Sequence, residues 1–201
     1  MPAATPARDR LLAAAAGLFY AEGINATGVD RVVAEAGLSK PTLYANFPSK
    51  AALVTAVLDE RHRRQRACLE AHLAERDGTA AAGLLTVFDW LGAWQTSDGY
   101  RGCGFLNAAA ELADTADPAR AVIAAHKRWL RDQLVALATD ADLTNPEDVG
   151  EQLLLLIEGA NARVLVDGDL DAAARARRAA ETLIRAAQPA IAGKRRRRAG
   201  G

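Results

Sequence analysis

Cysteine, histidine, aromatic rings and long apolar runs are all scarce in this chain, and each shortage removes a class of protein. Two cysteines, Cys68 and Cys103, cannot build a disulfide framework, and neither belongs to a Cys-x-x-Cys pair of the kind that holds zinc. The three histidines, His62, His72 and His126, include no pair four apart, and His62 and His72 lie too far apart on one helix to share a metal. No Ser–His–Asp arrangement and no glycine-rich phosphate loop is present, so an enzyme lacks its clustered nucleophile, base and acid. The expectation is a protein with no catalytic residue, no metal ligand and no cofactor. The longest apolar stretch, Ala13 to Ala21, is far short of the ~20 residues that span a bilayer. The N-terminus has neither the charged start nor the apolar run of a signal peptide. A cytoplasmic chain with no membrane partner is expected.

What is abundant is alanine and leucine, with few β-branched residues, a bias toward helix. Net charge is zero over 201 residues, but unevenly placed. Residues 1–66 carry 9 Lys/Arg against 6 Asp/Glu, residues 67–193 carry 11 against 19, and Lys194 to Arg198 add five positive charges. A basic head on an acidic body suits a protein that meets phosphates at one end.

Leu11, Leu12, Ala15, Leu18 and Phe19 recur at helical spacing, which predicts a helix over 7–22 ended by Gly23 in a left-handed conformation. Thr27-Gly28-Val29-Asp30 matches a capping box, and Val29, Val32, Val33 and Ala36 form the stripe of a second helix up to Gly37. Ser39 caps a third helix with Pro41 in its first turn, and Pro48 stops it. A long fourth helix is predicted over 50–76, a fifth over 80–96, a glycine-rich loop over 97–104 and a short helix over 105–114. Asp117-Pro118 and Asn145-Pro146 each place a cap before a first-turn proline, starting helices to about 140 and 166. A last helix covers about 171–188. The fold class is all-α: an N-terminal three-helix helix-turn-helix domain (1–50), then a C-terminal helical bundle (51–190), then a basic tail (191–201) that reads as disordered.

In a helix-turn-helix the second helix of the motif enters the major groove of DNA, held by the helices before it. Leu43 and Phe47 point inward with the apolar residues of the first two helices. Pro41, Thr42, Ala45 and Asn46 are short or polar and face outward, which lets the backbone approach a duplex. Thr27, Lys40, Tyr44 and Lys50 are placed to meet flanking phosphates, as are the helix starts at Gly28 and Ser39, and Arg31 points away from the apolar stripe toward a further phosphate or toward solvent.

Residues 8–54 resemble the DNA-binding domain of the TetR family of transcriptional regulators. The residues that carry the resemblance are Leu18-Phe19, Gly23, Thr27, Val33-Ala34, Ala36-Gly37-Leu38-Ser39, Thr42-Leu43-Tyr44, Phe47, Ser49-Lys50 and Leu53. Pro41 and Asn46 depart from the commonest pattern, which bears on base preference. The resemblance implies a homodimer on a palindromic double-stranded DNA operator, with a small-molecule effector bound in the larger C-terminal domain.

Leu153 to Ile157 is apolar all round its helix, and Ala176, Ala180, Leu183 and Ile184 line one stripe of the last helix. Two such helices per subunit would pair about a two-fold axis, so Leu153, Ile157, Ala176, Ala180, Leu183 and Ile184 are the expected dimer contacts. Six of the ten aromatic residues lie between 88 and 129. Trp90, Trp94, Phe105 and Trp129, with Cys103, Asn107, Glu111, His126, Gln133 and Asn161, are the expected lining of a pocket for a small apolar or aromatic effector. The expected function is a ligand-responsive repressor. Two alternatives stand beside it: a DNA-binding regulator sensing thiol oxidation at Cys103, and a helical dimer scaffold without specific DNA binding.

Overall fold

The computed structural model describes residues 6–75 and 78–189, and these contain nine helices and no strand. They are α1 (Ala7–Glu22), α2 (Val29–Ala36), α3 (Lys40–Asn46), α4 (Lys50–Ala74), α5 (Ala80–Ser97), α6 (Gly104–Glu111), α7 (Pro118–Asp140), α8 (Pro146–Asp167) and α9 (Ala172–Ala186). The basic tail at 194–198 lies outside the described residues. The described residues form an all-α fold, as composition and periodicity predict.

Several helix ends follow local chemistry. The Ser39 hydroxyl accepts the Thr42 N–H at 3.3 Å, Ser49 accepts that of Ala52 at 3.1 Å, and the Asp117 carboxylate accepts that of Ala119 at 2.8 Å. Others depart from expectation. Helix α2 starts from Gly28 with no side-chain cap, so the capping box at Thr27 and Asp30 does not form. Asn145 takes a left-handed conformation before Pro146 and gives α8 no side-chain bond. Gly23 does end α1, but with φ 96° and ψ 155°, a mirror-image extended conformation open essentially to glycine alone.

Two apolar cores share the long helices. The first joins α1–α3 and the first half of α4, with Leu11, Val32, Leu43, Phe47 and Leu53 at its centre. It also takes in Cys103, Phe105, Ala108, Ala119 and Ile123, so α6 and the start of α7 complete the head from below. The second core joins the end of α4 to α5, α7, α8 and α9 through Leu69, Phe88, Trp90, Leu134, Leu153 and Ile157. Helices α4 and α7 run through both.

This second core corrects the expected dimer face. Leu153, Ile157, Ala176, Ala180 and Ile184 are all buried within the protomer, and Leu183 is half-buried against the same core. The face of α8 turned to solvent is the opposite one, carrying Leu155, Gly159, Ala162 and Val166 in one stripe at helical spacing. Leu155 is 71% exposed and Val166 78%.

Candidate DNA interface and effector groove

Helix α3 is fixed from beneath and free above. Leu43 and Phe47 are buried, and Arg8 lies over the Phe47 ring at 5.2 Å. Lys40, Pro41, Tyr44 and Ala45 face solvent, Tyr44 with 48% of its surface exposed, while Thr42 and Asn46 sit at the edges of that face. The Asn46 amide donates to its own helix, to the Thr42 carbonyl at 2.8 Å. Lys40 forms an exposed ion pair with Asp30 at 2.7 Å, and the hydrogen bond in that pair raises the lysine pKa. Gly28, Ser39 and Lys50 stand at the starts of α2, α3 and α4, where N–H groups lack helical partners. Two expected contacts look different in the structure. Thr27 is 1% exposed and its hydroxyl donates to the Gly23 carbonyl at 2.7 Å, so it holds the turn before α2 and presents nothing to a phosphate. Arg31 is engaged with Glu22 at 3.4 Å and Glu35 at 3.2 Å, both pairs exposed and weak.

The head is latched to the body by polar bonds that periodicity does not reveal. Arg101 donates to the last carbonyls of α1, those of Tyr20 and Ala21, each at 2.6 Å, a cation on the negative end of a helix. The Tyr20 hydroxyl donates to the Gly102 carbonyl at 2.8 Å and accepts the Arg101 N–H at 3.0 Å. Glu111, at the end of α6, accepts the Asn25 N–H at 2.7 Å. Within the head, Arg10 donates to the Ala36 carbonyl at 2.6 Å and ties α1 to α2.

Between head and body runs an open groove of about 510 Å³. One wall is α1 (Leu12, Ala16, Gly17, Tyr20), the floor is α4 (Val57, Arg61, Arg64), and the other wall is Trp90 and Trp94 of α5 with Tyr100 of the following loop. Its size and mixed apolar and polar lining suit a small organic molecule.

Comparison with known proteins decides the family. Residues 11–57 match the family described as bacterial regulatory proteins, tetR family, and residues 80–180 match the tetracyclin repressor-like C-terminal domain. The chain belongs to the TetR family of transcriptional regulators. The crystal structure of a TetR-family transcriptional regulator from Streptomyces coelicolor superposes with a TM-score of 0.84 at 33% identity, covering 91% of this chain and 96% of that one. The HTH-type transcriptional repressor ComR of Escherichia coli is 34% identical over 121 residues, 59% of this chain and 58% of ComR. The HTH-type transcriptional activator FasR of Mycolicibacterium smegmatis is 47% identical over 55 residues, 27% of this chain and 25% of FasR. The matched stretches therefore fall short of two thirds of either curated relative. All three relatives are regulators of transcription, and so is this chain; it is not an enzyme. Among the described residues no helix is long and apolar enough to cross a membrane.

In this TetR-family protein the ten residues expected to line one effector pocket are not brought together. Trp90 and Trp94 line the groove. Asn107 and Glu111 border a separate void of about 20 Å³, room for a water molecule only. Asn161 is buried and accepts a hydrogen bond from Gln95 at 3.1 Å. Cys103 is buried with its sulfur 3.2 Å from the Lys127 ammonium, which also bonds Glu158 at 2.5 Å. Burial disfavours the charge on Lys127, and Cys103 and Glu158 more than offset that, so its pKa is raised. Phe105 stacks on His126 with centroids 3.8 Å apart, and Trp129 meets His62 edge-on. Gln133 is half-buried on α7, away from the groove lining. Arg61 and Tyr20 are among the groove residues that the sequence reading missed. A signal existed for Arg61: it continues the apolar stripe Val54, Val57, Leu58 by one turn, which turns it inward, unlike its neighbours Arg63 and Arg64.

His62 and His126 meet through their Nδ1 atoms at 3.1 Å, so one ring donates and the other accepts. Burial, then Lys127 and His62, push His126 down to about 3, and burial also lowers His62. Below the usual histidine value the unfolded chain takes up protons that the folded chain refuses. Stability is therefore full above about pH 6.5 and falls as the pH drops toward 3, at about 1.4 kcal/mol per pH unit for His126 alone. Urea denaturation at pH 7 and pH 5 checks this. The wild type is expected to lose about 2 kcal/mol between the two, and His126→Gln markedly less.

Proposed function

We propose that the protein is a homodimeric repressor that grips a palindromic operator with α3 of each protomer and lets go when a small apolar or aromatic molecule binds. The observation that carries the reading is the exposed face of α3, Lys40, Pro41, Tyr44 and Ala45, on a head rigidly packed beneath and latched to the body by Arg101 and Glu111. Lys40, Tyr44, Lys50 and the helix starts at Gly28 and Ser39 serve the phosphates, with Arg31 on the rim. Pro41, Thr42 and Asn46 meet base edges. Two heads on one particle would reach half-sites about one DNA turn (~34 Å) or a multiple apart. The exposed stripe Leu155, Gly159, Ala162, Val166 supports the pairing of protomers through α8. The sense of regulation follows ComR, the curated relative with the longer match, which is named a repressor.

The test is selection of bound sequences from random duplex DNA, then footprinting and titration. A protected palindrome is expected, and Tyr44→Ala with Lys50→Ala is expected to weaken binding about tenfold or more and to lower the salt slope by about one for the lost lysine. Unchanged affinity and slope in that double variant would remove these phosphate contacts, and the absence of any palindrome would remove the reading. A second reading, thiol sensing, is favoured by the Lys127 ammonium beside Cys103. It requires that peroxide abolish operator binding in the wild type and not in Cys103→Ser.

A further inference from the structure

Four arginines lie between residues 61 and 66, and three have carboxylate partners. Arg63 pairs with Asp59 and Glu60, Arg64 with Glu60, and Arg66 with Glu70. These three are exposed, where pairing matters least. Arg61 is the least exposed of the four and opens on the groove, yet among the described residues no carboxylate lies within ion-pair reach of it. Its guanidinium is held all the same. One face covers the Tyr20 ring at 4.6 Å, and its atoms pack so closely on Gly104 that a Cβ there would stand 3.2 Å from its central carbon. A partly buried cation fixed in place and left without an anion is an arrangement that proteins rarely keep for stability alone.

What surrounds it gives the shape of the missing partner. Across the groove stands the half-buried Trp94, beside the little of Trp90 that core packing leaves exposed, and Ala16 and Gly17 leave the α1 wall low. The other charges on the lining are Arg64 and Glu60, already paired at 2.6 Å, and the exposed Asp98.

We infer that the groove between α1, α4 and α5 binds an aromatic carboxylate, its ring system against Trp90 and Trp94 and its carboxylate on the Arg61 guanidinium. This rests on the reading that the regulator answers a small molecule, and it names the chemical class and the place. A planar guanidinium matches a carboxylate with two parallel hydrogen bonds, and its fixed rotamer means little order has to be gained on binding. Burial lowers the Arg61 pKa, a sign that the cation is poorly solvated where it stands and gains from an arriving anion. The occupant touches α1 on one side and α5 on the other, so it favours the head–body spacing that fits it, which is the differential contact that coupling to DNA requires.

Calorimetric titration of the full-length protein with 2-naphthoate, and with the neutral 2-naphthamide, tests the site. Naphthoate is expected to bind about tenfold or more tighter than the amide, and Arg61→Gln is expected to erase that preference. Gly17→Leu fills the groove from an exposed helical position whose Cβ would meet nothing within 4 Å, and is expected to abolish binding in a folded protein. Equal binding of acid and amide, no binding of naphthoate at millimolar concentration, or full binding in Gly17→Leu would each overturn the proposal. Operator release is read separately by anisotropy. Binding at this site without release would leave the site standing and remove the ligand-responsive reading, whereas release that persists in both variants would put the effector elsewhere and overturn the site.

Discussion

Gly102→Ala is expected to destabilise the protein by about 3–5 kcal/mol and to lower its melting temperature by roughly 10 °C, more than the same change at Gly150 or Gly17. Gly102 has φ +62°, a left-handed conformation that costs an alanine about 1 kcal/mol or more. A Cβ there would also lie 2.3 Å from the backbone carbonyl oxygen of Asn161 on α8. The obstacle is backbone, so no rotamer relieves it, and either the 99–103 segment or α8 must move. The same segment carries the Gly102 carbonyl that accepts the Tyr20 hydroxyl, and Arg101 with its bonds to the end of α1. Moving it loosens the latch between head and body. Gly150→Ala is expected to cost less, because its nearest obstacle, at 2.5 Å, is a Val135 methyl, although the Val135 nitrogen follows at 3.1 Å. Gly17→Ala inverts the sign: nothing lies within 4 Å, the site is helical, and a gain of up to about 1 kcal/mol is expected. Calorimetric melting of the three variants checks the order. A Gly102→Ala protein that melts with the wild type would mean that the 99–103 segment shifts freely and latches nothing.

The parts of this fold legible in the sequence are those whose partners are local. Ser39, Ser49 and Asp117 cap the helices they precede because the N–H groups they satisfy are two or three residues away. Thr27 failed the same reasoning: its hydroxyl had two local choices, the coming helix or the turn behind it, and it took the Gly23 carbonyl. The inner face of the head was legible because valine, leucine and phenylalanine mark one side of short helices. The body was harder. Alanines occur on every side of α9, so a small-residue stripe could face either way, and burial against α5 and α8 decided for the inside. Within Leu153 to Ile157 the run is apolar all round, and only tertiary packing selects Leu153 and Ile157 for the core and Leu155 for solvent. The aromatic cluster failed as one pocket because Phe105, His126 and Trp129 pack on one another and on His62, while Trp90 and Trp94 turn to the groove on the other side of α4. Arg101, Glu111 and Arg61 act across 41 to 86 residues of chain, beyond the reach of any periodicity.

The choice of face on α8 leads to the second large effect. Leu155→Glu with Val166→Glu is expected to leave a folded protein, because both side chains are mostly exposed and neither belongs to the core. Secondary structure and melting are expected to change little in the isolated protomer. Self-association is another matter. In the proposed dimer the stripe Leu155, Gly159, Ala162, Val166 would meet its own copy across a two-fold axis, so each new carboxylate would face apolar surface or another carboxylate, and both are costly when water is excluded. Sedimentation at micromolar concentration is expected to find dimers for the wild type and monomers for the variant. Operator affinity should then fall by about a hundredfold or more, since two heads on one particle bind half-sites with a high effective concentration that separate heads lack. Ile157→Ala, on the opposite face, is the necessary contrast: it empties part of the second core and is expected to cost about 2–5 kcal/mol of stability without freeing monomers that stay folded. If the double glutamate variant sediments as a dimer and holds the operator as tightly as the wild type, protomers join through some other surface, and the exposed apolar stripe of α8 is left without a role in assembly.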